Sequence, residues 1–132
     1  MMLTAIGLMS GTSLDGVDVA LIETDGKRVK SFGPSGYRPY TETERGLLRQ
    51  ALTEAVNLPQ RDARPGILRE AERAVTVAHA EAVASFTAQN RISREDIDIV
   101  GFHGQTVLHR PAQKMTVQIG RASCRERVYH PV

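Results

Sequence analysis

The chain has 132 residues, 41% of them hydrophobic, with 17 Lys and Arg against 15 Asp and Glu; this reads as one domain, or a piece of one, with enough apolar content for a globular core. Its apolar runs are too short to cross a bilayer, its N-terminus lacks the basic and long apolar regions of a secretory signal, and the single Cys124 excludes an internal disulfide framework or a cysteine zinc site, so the expected location is the cytoplasm. The basic excess sits in residues 121–132, where Arg121, Arg125 and Arg127 outnumber Glu126; the remainder is balanced and leaves no basic stripe for nucleic acid.

Residues 2–9 form a near-continuous apolar run and predict a buried strand. Residues 17–24 alternate, with Val17, Val19 and Leu21 on one face and Asp18, Ala20 and Ile22 on the other. Asp25-Gly26 signals a hairpin turn, and residues 28–38 predict a poorer third strand broken by Gly33-Pro34. Thr41 and Glu44 have the spacing of a capping box, opening a helix whose apolar face holds Leu47, Leu48, Ala51, Leu52 and Ala55. Pro59 and Pro65 mark a connector. A second helix is predicted over 67–88, where Leu68, Ala71, Val75, Ala78, Ala82 and Phe86 recur at three- and four-residue steps. Glu70, Glu72, Arg73 and Glu81 lie mostly off that stripe and read as its solvated face, and His79 reads as packing. A turn at 93–96 precedes a strand at 97–102, and a last strand covers 115–119.

The segment from Met9 to Asp18, Met-Ser-Gly-Thr-Ser-Leu-Asp-Gly-Val-Asp, joins the first two strands. Gly11 and Gly16 let a backbone approach an anion closely, and consecutive loop N–H groups can form an anion-binding concavity. Thr12 and Ser13 add hydroxyls. Asp15 or Asp18 could hold a hydrated Mg²⁺, which prefers oxygen ligands. An ordinary hairpin turn rich in small polar residues fits the same letters.

His103-Gly-Gln-Thr106 follows the predicted strand 97–102. Strand ends that border a crevice in open α/β folds are where ligands bind. Gly104 leaves room for close approach, and Gln105 and Thr106 offer donors and acceptors. His103 could instead be a hydrogen-bonded core histidine. Arg110 could pair with a carboxylate or lie on the surface. His103 and His109 lack neighbouring Cys or carboxylate ligands for a metal pair.

Gly7-Leu-Met-Ser-Gly-Thr-Ser-Leu-Asp-Gly-Val-Asp18 closely resembles the first phosphate loop of the bacterial anhydro-N-acetylmuramic acid kinases, members of the sugar kinase, Hsp70 and actin superfamily. Gly101-Phe-His-Gly-Gln-Thr-Val-Leu-His-Arg-Pro111 resembles a second signature of these kinases, and Thr116-Val-Gln-Ile-Gly120 fits the strand that follows it there. The resemblance covers residues 1–120. It implies an α/β, ribonuclease-H-like N-terminal domain, present here in part, that opens with three antiparallel strands. It implies an ATP-dependent kinase that opens the 1,6-anhydro ring of anhydro-N-acetylmuramic acid and yields N-acetylmuramate 6-phosphate, with ATP and Mg²⁺ as cofactors. Gly11, Thr12, Ser13, Leu14, Asp15, Gly16, Val17 and Asp18 become phosphate and Mg²⁺ candidates, with Asp15 the metal candidate. His103, Gly104, Gln105 and Thr106 become sugar-side candidates. The implied partners are the small sugar and a second copy in a homodimer, with neither nucleic acid nor membrane. No catalytic base is assigned, because the family's Asp-Thr-Gly-Pro-Gly-Asn type motif does not occur in these residues.

Residues 121–132 read as foreign, since Gly120-Arg-Ala-Ser-Cys-Arg-Glu-Arg-Val128 resembles one translated frame of a sequencing-adapter oligonucleotide. On this reading the fragment is inactive alone, and the sheet lacks the layer covering its far side, so that strands 97–102 and 115–119 expose apolar surface or an unpaired edge. Another sugar or acetate kinase of the superfamily, or a non-catalytic nucleotide-binding module, is the competing reading.

Overall fold

The computed structural model describes residues 1–11 and 13–121 and the backbone of 128–129. Strands β1 (Leu3–Ser10), β2 (Gly16–Thr24) and β3 (Val29–Pro39) run antiparallel through hairpins, and helices α1 (Glu42–Ala55) and α2 (Leu68–Gln89) follow. A short 3₁₀ turn at Arg94–Asp96 leads into β4 (Ile99–Phe102), which lies parallel to β1. Strands β5 (Gln105–Arg110) and β6 (Met115–Ile119) form a separate hairpin, and β7 (Val128–Tyr129) pairs with β4. The main sheet has the order β3-β2-β1-β4-β7. This is the α/β arrangement that the resemblance implies. The tail reading falls mostly on residues 122–127 and 130–132, outside the described residues.

The third strand is continuous where Gly33-Pro34 predicted a break. It lies at the sheet edge, where proline's missing N–H costs no ladder bond, and register shifts after Ala20 and Glu23 absorb the irregularity. Thr41 caps α1 as expected: its hydroxyl accepts from the Glu44 N–H at 3.1 Å, and the Glu44 carboxylate accepts from the Thr41 N–H at 2.8 Å. The hairpin strand β5 was not anticipated; its pairing with β6 depends on the turn at Pro111–Lys114, where Lys114 takes φ 53°.

Helix α2 packs on one face of the main sheet, against β2 and β3, and α1 packs against α2 and the β5 strand of the hairpin. Leu48, Ala51, Ala55, Leu68, Ala71, Val75, Ala78, Ala82 and Phe86 meet Ile6, Leu8, Val17, Val19, Val100 and Phe102 in one buried cluster. Each large aliphatic side chain so removed from water contributes about 1.5–3 kcal/mol. Arg38 of β3 ties the sheet to both helices, bonding Glu44 through two nitrogens at 2.8 and 3.0 Å and Glu81 at 3.0 Å.

The first strand buries Ile6 and Leu8 on this face, and of the other face only Ala5 is buried. Gly7 and Met9 point the other way, and Met9, Phe32 and Tyr37 are exposed. The expected exposure of strands 97–102 and 115–119 is thereby corrected: Val100, Phe102, Val117 and Ile119 are buried, because the helices and the β5–β6 hairpin cover them.

Glu72 is a second correction, since it is buried rather than solvated. Its carboxylate accepts from Arg64 Nε at 3.0 Å and from the Gly120 N–H at 3.1 Å. Burial pushes this carboxyl up, but the Gly120 N–H and the Arg64 guanidinium outweigh it and hold it below the ordinary value of 4.5. A carboxyl lowered by folding contributes stability that is complete above its unfolded pKa and is lost as pH falls through the folded one. Glu72→Gln is therefore expected to lower the unfolding free energy by about 1–3 kcal/mol at neutral pH and to flatten the acid limb of the stability curve. Urea unfolding at a series of pH values checks this; an unaltered acid limb would count against the pairing.

Candidate functional site

Strands β1 and β4 are parallel neighbours, with Leu8 opposite Phe102, so their C-terminal ends lie side by side. The turn from β1 to β2 and the turn from β4 to β5 therefore emerge together, though about 90 residues separate them in sequence. Between them, on the sheet face away from the helices, lies a concavity of about 670 Å³, within the size range of small-molecule sites. Gly7, Ala20 and Gly101 sit in adjacent register across three strands and give it a smooth floor. Ser10, Gly11 and Asp18 line one side, and His103, Gly104, Thr106 and Gln118 the other.

The β1–β2 turn is held from inside the protein. Leu14 takes a left-handed φ of 59° and is buried, and its N–H donates to the Gly11 carbonyl at 3.2 Å. A side chain on Gly16 would come within 2.4 Å of the Arg38 carbonyl, so only glycine fits against β3. Val17 is fully buried, and the Asp15 carbonyl accepts from the Tyr40 N–H at 2.8 Å. Of the eight loop candidates, Leu14 and Val17 thus serve the fold through buried side chains, and Gly16 by having none. Gly11 and Asp18 line the concavity, while Ser13 and Asp15 are exposed outside its lining. Thr12 lies outside the described residues.

The four residues of the second turn also divide. His103 is exposed and lines the concavity with Thr106, so it is not the core histidine. That position belongs to His79, which is buried, bonds the Val75 carbonyl through Nδ1 at 2.6 Å and meets the Phe102 ring edge-on at 4.8 Å. Burial pushes the His79 imidazole down and keeps it neutral. Gly104 has φ +74°, and a Cβ there would lie 2.2 Å from the Ile119 carbonyl. The chain's own β6 occupies the room that glycine leaves. Gln105 is buried and turns inward. His109 bonds Thr116 at 2.9 Å, and Arg110 donates to the Val56 carbonyl rather than to a carboxylate.

Among the described residues no group of three His, Cys, Asp or Glu side chains could hold a metal. Mg²⁺ does not require one, since it commonly takes one or two carboxylates and completes its shell with phosphate and water. Asp18, an exposed carboxylate on the wall of the concavity, fits that donor chemistry. Ser10, Gly7, Ala20, Gly101 and Gln118 were not singled out from sequence. The signal for Gly7, Ala20 and Gly101 was strand parity: once β1, β2 and β4 are paired, alternate positions share a face.

The family model for anhydro-N-acetylmuramic acid kinase matches residues 3–126. A protein of that name from Bradyrhizobium diazoefficiens is 78% identical over 130 residues, covering 98% of this chain and 35% of the relative. One from Rhodopseudomonas palustris strain HaA2 is 81% identical over 122 residues, covering 92% and 33%, and one from Agrobacterium fabrum is 58% identical over 117 residues, covering 89% and 31%. The chain spans about a third of the length of the curated relatives it matches.

Proposed function

The chain belongs to the anhydro-N-acetylmuramic acid kinase family, and from that premise we propose that it supplies one wall of an ATP-dependent phosphoryl-transfer cleft. The observation that carries this reading is the convergence of the two kinase-like segments on one concavity at the ends of adjacent parallel strands. In the reaction, water adds across the 1,6-anhydro bond of anhydro-N-acetylmuramic acid. The anomeric carbon takes the hydroxyl, the 6-oxygen takes the γ-phosphoryl group of ATP, and ADP and the remaining proton of the water leave.

Phosphoryl transfer depends on positioning and charge stabilisation. Backbone N–H groups of the β1–β2 turn orient the phosphates. Asp18, with Asp15 nearby on the same turn, would hold Mg²⁺, which supplies neutralisation of the charge on the transferring group. His103 and Thr106 face the opposite side of the concavity and offer directional bonds to sugar hydroxyls. The same reading makes the intact protein a cytoplasmic homodimer that acts on a small sugar, not on nucleic acid or membrane. No described helix is long and apolar enough to cross a membrane.

The test is a chimera in which residues 1–120 replace the matching segment of the Bradyrhizobium relative. It is expected to release ADP only when anhydro-N-acetylmuramic acid and Mg²⁺ are present, with N-acetylmuramate 6-phosphate identified by mass spectrometry. A folded chimera that releases no ADP with this sugar would overturn the proposal.

A further inference from the structure

Gln105 stands apart from its neighbours in the second turn. His103, Gly104 and Thr106 line the concavity, whereas Gln105 is 1% exposed and is not among the lining residues. Its carboxamide is committed inside the protein. The oxygen accepts from Ser10 Oγ, and the nitrogen donates to the Gly11 carbonyl at 3.2 Å and to the Thr106 carbonyl at 3.3 Å. Ser10 Oγ also lies 2.7 Å from the Tyr40 hydroxyl. Because Ser10 gives its proton to Gln105, Tyr40 must be the donor to Ser10. Burial pushes the Tyr40 phenol up and keeps it protonated for that role. Every proton in the chain Tyr40–Ser10–Gln105–Gly11 therefore has one direction, and a buried polar network so satisfied holds its members rigidly.

We propose that Gln105 is a positioning residue for the phosphate-binding turn and not a sugar ligand. Gln105 holds the Gly11 carbonyl and so fixes the direction in which that oxygen points. The Leu14 N–H bonds the same carbonyl at 3.2 Å, so the turn closes on the oxygen that Gln105 fixes. The residues on either side of Gln105 face the sugar side of the concavity. A single side chain thus couples the two turns, and the geometry offered to the nucleotide depends on the segment that faces the sugar. Only a carboxamide serves, because the position needs an acceptor toward Ser10 and a donor toward Gly11.

This inference rests on the assignment of the β1–β2 turn to nucleotide phosphates, and the experiment separates the two. Gln105→Glu, in the chimera described above, keeps an acceptor for Ser10 and places a second oxygen against the Gly11 carbonyl. Protonation of the introduced carboxyl restores a donor there. At pH 8 the variant is expected to lose about tenfold or more in kcat/KM for ATP, with KM for the sugar within about twofold of wild type. The loss should diminish toward pH 6 relative to wild type, and nucleotide affinity measured by calorimetry should follow the same pH dependence. Tyr40→Phe removes only the donor to Ser10, keeps the ring in its buried place, and is expected to lower kcat/KM for ATP by about threefold. A raised KM for the sugar with unchanged ATP parameters would overturn the inference and make Gln105 a sugar ligand. A loss that does not vary with pH would overturn it in favour of simple destabilisation. Nucleotide binding by Gln105→Glu that keeps the pH dependence, alongside a wild-type chimera that binds nucleotide but shows no kinase turnover, would overturn the function alone. No nucleotide binding by that chimera would overturn both.

Discussion

Asp18→Ala in the chimeric kinase is expected to lower kcat/KM for ATP by about 10²–10³-fold, the scale of losing one group that stabilises transition-state charge. The reason is position. Asp18 pairs in register with Met9 on β1 and Tyr37 on β3, so its carboxylate stands on the open face of the sheet, on the wall of the concavity. Asp15 is exposed on the turn outside that lining. A charge in water acts on another at 4 Å with about 1 kcal/mol, so Asp15→Ala is expected to cost roughly fivefold. Ser13→Ala, one donor among several, should cost less still. Steady-state kinetics at varied Mg²⁺ checks the order: the Asp18 variant should need far more Mg²⁺ for half-maximal rate. Equal losses for Asp15 and Asp18, or a wild-type Mg²⁺ dependence for Asp18→Ala, would refute the placement.

Gly104→Ala is expected to be the most damaging single methyl in the chain, lowering stability by about 3 kcal/mol or more. A left-handed backbone costs a non-glycine residue about 1–2 kcal/mol, and overpacking adds about 1–3 kcal/mol. The added carbon would lie 2.2 Å from a backbone oxygen of β6, which cannot swing aside as a side chain end could. Relief requires β6 or the turn to move, and His103 and Thr106 would move with it. Gly46→Ala is the control. Gly46 is exposed within α1, and a Cβ there meets nothing within 4 Å, so alanine should stabilise by about 0.5–1 kcal/mol. Thermal unfolding of both chimeric variants checks the contrast; a Gly104→Ala melt within a degree or two of wild type would contradict the geometry.

What was legible in the sequence was local. Thr41 and Glu44 announce α1 because a capping box is satisfied within one turn of chain. The three- and four-residue spacing of Leu68, Ala71, Val75, Ala78, Ala82 and Phe86 gives α2 and its buried face, because helix periodicity needs no knowledge of a partner. The two motif segments were legible as well, since their resemblance to the kinase family lies in the order of residues, and the family match bears it out.

Burial of a charge and the direction of a side chain at a strand end were not legible. Glu72 reads as solvated on a helical wheel, yet Arg64 and the Gly120 N–H, which no periodicity pairs with it, surround it. Gln105 reads as a ligand because it sits in a motif, yet Ser10 and the Gly11 and Thr106 carbonyls take its bonds. The sequence by itself determined both helices and the strands other than β5 and β7, and which family they come from. Only the tertiary structure decided that Gly11, Asp18, His103 and Thr106 share one concavity while Leu14, Gly16, Val17 and Gln105 turn inward. The physical reason is that strand pairing is non-local: the parallel register of β1 on β4 brings the two turns together and assigns each residue its side of the sheet.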